Sequence, residues 1–482
     1  MTSIRKNYLY NLLTQILVMV LPVVTTPYLS RVLGETNLGI YNYALSIVNF
    51  FILFGCVGLN VYGQREIAAC REDRFARSRI FFELLTIRAV TLSLSIAAFV
   101  FVLLPRVDYP RIYWILGIEL FASLFDVGWY FQGREEFRMQ SLRTLVTRVI
   151  SVTCVFVFVR DEGDLEIFCV CYALSLFLGN FSLVPPLRRE LQRVPRRTLR
   201  FKRHFLPIFW MFLPQAAANV YTQLDRTMIG LLTGHNYAEV TYYSQAEKIV
   251  KLSLSLITAI GSIMLSRVAA VLAENENDRA KAYIEKSFRF MLLLGLPITV
   301  GLAAVAEDFV PWFFGEGYDP VTPCMALLSP LVLIISTSNI LGTQYLLPAR
   351  RMRDYTLSIV CGMTVNILCN ALLIPRFGAK GAVVATLFAE TVVCAAQFIF
   401  LRGIFSPALL LRQPRCIPAA AAMGAAVWGL SRLLPGRIWA TAVEVAVGAA
   451  VYFGLVLLFR DPFLLEQLGA VRAALRGKLK KG

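Results

Sequence analysis

Long apolar runs, separated by short polar segments rich in Arg and Lys, recur along the whole chain. A helix needs about 20 apolar residues to cross a bilayer, and about fourteen runs of that kind are legible. They lie at 8–32, 40–62, 80–104, 111–131, 140–159, 166–186, 207–233, 241–268, 289–312, 324–347, 356–375, 381–401, 416–434 and 439–459. Fourteen spans of about 21 residues leave only short connections, with no room for a separate soluble domain. The first run, YNLLTQILVMVLPVVTTPYLSRVL, is too long and too polar for a signal peptide and no A-x-A site follows it, so a permanent first span is expected. The pattern predicts an all-α polytopic membrane protein.

Composition agrees. Of 482 residues, 57% are apolar and 16% charged, with a mean hydropathy of +0.63, whereas a soluble protein carries about 25% charged residues. An ordinary soluble enzyme is excluded. The net charge of +17 invites a nucleic-acid reading until the cations are placed along the chain. Of the 48 Lys and Arg, 34 fall on one side of the expected spans and 8 on the other, with 6 inside or at span edges. That asymmetry orients a membrane protein with both termini in the cytoplasm and its basic loops toward anionic lipids. Nucleic acid is not an expected partner. Most of the ten cysteines lie in apolar runs without a C-x-x-C pair, and so read as small core residues. The two histidines, His204 and His235, fall in expected loops, which removes most metal-site readings. No cofactor or metal is called for.

The longest basic stretch, LRRELQRVPRRTLRFKRHF at 187–205, sits midway through the first twelve spans. It suggests an N-terminal lobe at 1–187, a cytoplasmic linker at 188–206 and a C-terminal lobe at 207–402. Residues 403–482 then hold two further spans and a basic tail. A weak repeat supports two lobes: Tyr41, Ala44 and Ile47 recur as Tyr243, Ala246 and Ile249, 202 residues later.

Several spans carry polar stripes at helical spacing. Asn42, Ser46 and Asn49 mark span two, and Arg88, Thr91 and Ser95 mark span three. Gln215, Asn219, Thr222 and Arg226 mark span seven, and Ser336, Asn339 and Thr343 span ten. Such stripes face other helices or a wet cavity, because lipid offers no hydrogen bonds. Ionisable side chains inside spans are costlier still, about 2.5–3.5 kcal/mol each on insertion scales. The first lobe holds Glu83, Arg88, Glu119, Asp126 and Arg148, with Glu119 and Asp126 seven apart on one expected helix face. Asp225, Arg226, Glu247, Lys248 and Lys251 follow, and Glu247 with Lys251 has the spacing of a structural i,i+4 ion pair. Glu390 and Glu444 read as isolated. Several enclosed cations suit an anionic ligand such as phosphate or pyrophosphate, and acids beside them suit a proton or sodium ion. No H-E-x-x-H, Walker or G-x-S-x-G motif is present.

Four stretches carry a resemblance. LPVVTTPYLSRVLGETNLGIYNYALSIVNFFILFGCVGLNVYGQREIA resembles the opening of bacterial polysaccharide-unit flippases, which belong to the multidrug/oligosaccharidyl-lipid/polysaccharide exporter superfamily. WYFQGREEFR (129–138) resembles that family's turn after span four. LPQAAANVYTQLDRTMIG resembles its seventh span, with Asp225 at the acidic position, and NILCNALLIPRFGAKGAVVATLFAE its eleventh and twelfth. The ends of the chain, with the last two spans, are poorly marked.

The resemblance implies two pseudo-symmetric six-helix lobes around a cationic cavity. It implies an O-antigen or capsule type flippase in the bacterial inner membrane, not an enzyme. The substrate would be an undecaprenyl-pyrophosphate-linked oligosaccharide, moved by alternating access coupled to a proton or sodium gradient, with a polysaccharide polymerase as partner. Candidate substrate-binding residues are Arg31, Arg88, Arg148, Arg226, Lys248 and Lys251. Candidate ion-coupling residues are Asp225, Glu119, Asp126 and Glu247. A lipid II flippase is the nearest rival. A cation-coupled drug exporter is disfavoured by the excess of interior Arg and Lys, and a membrane transferase or polymerase by the short outer loops.

Overall fold

The computed structural model describes residues 2–258, 261–434, 438–467 and 469. Among them the chain is helical, without strands, and it divides into two compact units, Met1–Thr241 and Tyr242–Gly482. Arg437 and the basic tail residues Arg472, Arg476, Lys478, Lys480 and Lys481 lie outside the described residues.

The first unit contains α1 (Thr2–Cys56), α2 (Leu59–Ala69), α3 (Arg74–Ala98), α4 (Pro110–Ala122), α5 (Gly128–Gly133), α6 (Phe137–Phe158), α7 (Leu165–Phe181), α8 (Val184–Glu190) and α9 (Lys202–Leu232). The helix α10 (Tyr237–Thr258) begins in it and continues into the second unit. That second unit contains α11 (Gly261–Ala273), α12 (Asn277–Phe314), α13 (Val321–Leu328), α14 (Leu331–Ser338), α15 (Met352–Phe400), α16 (Cys416–Ser431) and α17 (Ile438–Leu458). Nine described helices or helix runs are long and apolar enough to cross a membrane, and α16 is apolar but shorter. The polar residues of α9 and α10 keep those two outside the nine.

The first two expected spans are not separated by a loop. They merge into α1, which changes direction at Gly34, where φ is 74°. Only glycine holds that conformation without a steric cost. Asn37 secures the bend by donating to the Leu33 carbonyl at 3.1 Å and the Glu162 carbonyl at 2.9 Å. Spans eleven and twelve likewise merge into α15, which bends at Gly378.

The surface is what a bilayer requires. Leu94, Phe101 and Leu372 are among many large apolar residues left open at the protein's edge, at 67%, 76% and 70% exposure. In water such a surface would drive association; in lipid it is the solvated face. The chain is a multi-pass membrane protein.

Within the first unit, polar residues join helices. Thr91 donates to the Gly55 carbonyl (2.6 Å) and Ser95 to that of Phe51 (2.7 Å), tying α3 to α1. The motif glycine Gly63 lets α2 lie against the Trp129 ring of α5, and that ring stacks on Phe81 at 5.6 Å. Tyr62, Phe81, Leu84, Trp129 and Tyr130 form a buried cluster there.

The basic stretch after α8 is stapled to α3. Arg74 donates to the carbonyls of Arg189 and Glu190, and the Gln192 amide donates to Ser78. Glu83, fully buried, accepts from the Arg200 amide and the Arg203 guanidinium, both at 2.6 Å. His204 is not in a loop, as its polar surroundings suggested, but in the first turn of α9. It is fully buried, standing 2.8 Å from both Glu83 Oε2 and the Tyr62 hydroxyl. Glu83 is thus a tether for the basic stretch, a partnership its place in an apolar run concealed.

In the second unit, α16 and α17 pack on α12. Tyr452 donates to the Leu293 carbonyl (2.9 Å) and the Trp312 indole to Thr441 (2.8 Å). Tyr243 and Ala246 are buried here as Tyr41 and Ala44 are in the first unit.

Candidate functional site

The fourth span is discontinuous. The helix α4 ends at Ala122, a 3-10 turn covers Ser123–Phe125, and Asp126 takes a non-helical conformation (φ −74°, ψ 82°) before α5 begins. Glu119 and Asp126 therefore do not share one helix face, because the helix stops between them. A break within a span strands carbonyls that lipid cannot satisfy, and side chains from other helices meet them. Asn180 of α7 donates to the Ala122 carbonyl at 3.0 Å. Arg88 of α3 donates through Nη1 to the Asp126 carbonyl and through Nη2 to Asn60 Oδ1, both at 2.5 Å.

The Asp126 carboxylate is met from the same helices. Asn60 donates to its Oδ2 at 3.1 Å, and Arg143 Nη1 lies 3.7 Å from Oδ1 while donating to Asn180. Arg88 is only 2% exposed, so it stands behind the site wall with both terminal nitrogens engaged and its Nε unpartnered. In front lies a cavity of about 240 Å³ whose polar lining comprises Asn49, Asn60, Ser123, Asp126, Gln215, Asn219 and Gln223. Two positions of the polar stripe read in span seven face this cavity, and Gln223 adds a third polar side chain from α9. Amides and a carboxylate at a helix break can accept and donate to hydroxyl groups or hold a small cation.

Two further groups of candidates come together elsewhere. In the first unit, the Tyr172 ring of α7 stands edge-on to Tyr41 at 6.0 Å, and Arg148 and the buried Glu119 act on both electrostatically. Arg148 is exposed. On α10, the Glu247–Lys251 pair permitted by the i,i+4 spacing is formed at 2.5 Å, and Lys248 is half-buried. Asp225 of α9 is buried at 3% exposure, and the adjacent Arg226 is half-buried. Arg31 is exposed on α1, three residues before the Gly34 bend.

Some site residues escaped the sequence reading. Asn60 was hidden by its apolar run, although it stands two residues before the Y-G-Q-R motif. Arg143 sits in sequence among the cations at the basic edge of a span, and Asn180 carries no signal beyond being an amide in an apolar run. Glu444 is not isolated either. It is fully buried, and the Asp308 carboxyl of α12, 136 positions distant in sequence, acts on it electrostatically. The ten cysteines form no disulfide.

A family model described as "Polysaccharide biosynthesis protein" matches residues 4–265. The chain is 24% identical over 406 residues to "Putative O-antigen transporter" of Escherichia coli (strain K12), covering 83% of this chain and 97% of that protein. It is 21% identical over 414 residues to "Capsular polysaccharide biosynthesis protein CapF" of Staphylococcus aureus, covering 83% and 100%. Among solved structures, "Lipid II flippase MurJ, inward closed conformation" superposes with a TM-score of 0.75 at 12% identity, over 94% of this chain and 99% of that one. An inward-facing multidrug resistance transporter of the MATE family gives a TM-score of 0.61 at 12% identity, over 80% and 94%.

Proposed function

Since the chain belongs to the polysaccharide biosynthesis protein family, we propose that it is a flippase. Its substrate is an undecaprenyl-pyrophosphate-linked oligosaccharide repeat unit, carried across the bacterial inner membrane for surface polysaccharide assembly. The observation that carries the reading is the polar cavity at the broken fourth span, lined by amides and Asp126 within a membrane-spanning bundle. Amide side chains offer paired donors and acceptors that match sugar hydroxyls. The name of the Escherichia coli relative, matched over nearly its whole length, supports the same reading.

In this proposal Arg31, Arg148, Arg226, Lys248 and Lys251 bind the pyrophosphate and any acidic sugars. Arg88 acts through the helix break, as a positioning residue. Asp225 couples a proton or sodium ion to alternating access, with Glu119, Asp126 and Glu247 as further acids in the pathway. The excess of Lys and Arg on one side supports cytoplasmic termini and basic loops at an anionic lipid surface. A polysaccharide polymerase receives the translocated unit.

The test is genetic. Deleting the gene from its host should abolish surface polysaccharide and cause lipid-linked repeat units to accumulate in the inner leaflet. Loss of surface polysaccharide without that accumulation would place the protein at another step.

A further inference from the structure

A second cavity of the first unit, about 570 Å³, has a different character from the polar one. It is an apolar groove walled by Phe82 and Leu85 of α3, Leu124 and Phe125 at the helix break, and Val184 and Leu187 of α8. Nearby Val90, Phe121 and Phe181 are 57%, 47% and 45% exposed, so the groove opens on a lipid-facing surface. Two arginines, Arg188 and Arg193, stand on its lining, and both are exposed. The acid between them in sequence, Glu190, is engaged by Arg134 and lies 3.9 Å from Arg77. Neither rim arginine has a carboxylate partner among the described residues.

An apolar channel ending at two uncompensated cations matches one kind of molecule: a hydrocarbon chain joined to an anionic head. We infer that the groove holds one acyl chain of an anionic phospholipid of the cytoplasmic leaflet, with its phosphate between Arg188 and Arg193. The leaflet rests on the orientation proposed above. Burial of the chain's CH₂ groups in the apolar channel favours binding, and each surface cation adds attraction to the head group. The stapling of the basic stretch to α3 holds the rim in place. Leu124, Phe125 and Val127 flank Asp126, so the bound chain buttresses the break that shapes the polar cavity.

The experiment is native mass spectrometry of the purified full chain, titrated with dioleoyl phosphatidylglycerol or dioleoyl phosphatidylcholine. Phosphatidylglycerol should be retained selectively. The double variant Arg188→Gln, Arg193→Gln should weaken that retention by about 30-fold, from the attraction of two surface cations. Ala89→Trp, which fills the groove, should also remove it, and Arg279→Gln with Lys281→Gln should leave it unchanged. Equal retention of both lipids, or phosphatidylglycerol binding unaffected by the double variant, would overturn the inference. One-for-one displacement of phosphatidylglycerol by undecaprenyl phosphate would also overturn it, by assigning the groove to the substrate's tail. Binding is read on the purified protein, so its failure is distinct from any failure of transport.

Discussion

Arg88 and Arg226 are both arginines within membrane spans, and their surroundings separate them. The guanidinium of Arg88 is buried and closes the break in the fourth span through the Asp126 carbonyl and Asn60. Removing it leaves buried acceptors unpaired, at about 1–3 kcal/mol each. Arg88→Ala should therefore lower the thermal midpoint in detergent and abolish surface glycan. Arg88→Lys should recover only part of both, because an ammonium lacks the planar fork that reaches two acceptors. Arg226 is half-buried on α9. Arg226→Ala should abolish surface glycan with a smaller change in the midpoint, since Arg226 is half-buried where Arg88 is fully buried. Equal melting losses in the two Ala variants would place Arg226 among the structural residues. This distinction was invisible in the sequence, where both read as cations in apolar runs; Arg88 meets Asp126 38 positions later only because the helix breaks there.

Among the elements, the basic stretch between α8 and α9 shows how far from its neighbours in sequence a segment's anchor can lie. Glu83 on α3 holds the Arg200 amide, Arg203 and His204, more than a hundred residues away. Glu83→Gln keeps the shape but removes the charge from these bonds, each worth about 1.5–3 kcal/mol when one partner is charged. Limited trypsin digestion should then cut faster after Arg196, Arg197 and Arg200 than in the native chain, with other sites unaffected. Unchanged cleavage would mean that Arg74 and Ser78 suffice to hold the stretch. The helices themselves were legible because apolar runs and their basic borders record the bilayer directly. The bends at Gly34 and Gly378 were less so, since a single glycine turns the chain where a loop was expected. The break at Asp126 was not legible at all: it lies inside an apolar run, and its carbonyls are met by Asn180 and Arg88 from other helices.

At the scale of the whole molecule, the distribution of cations predicts an orientation that can be measured. Reporters active only in the cytoplasm should work when fused after Arg74 or Arg200 and fail when fused after Tyr109 or Asn236. Reversed activity at either of the last two would invert the orientation and move the proposed phospholipid site to the other leaflet. The central claim is translocation of a lipid-linked oligosaccharide driven by an ion gradient, and reconstitution tests it most directly. Proteoliposomes would carry an undecaprenyl-pyrophosphate-linked oligosaccharide whose sugar is accessible to an external glycosidase. An imposed proton or sodium gradient should drive protein-dependent loss of that accessibility, and Asp225→Asn should transport without responding to the gradient, or not at all. No protein-dependent change under either gradient would contradict the account.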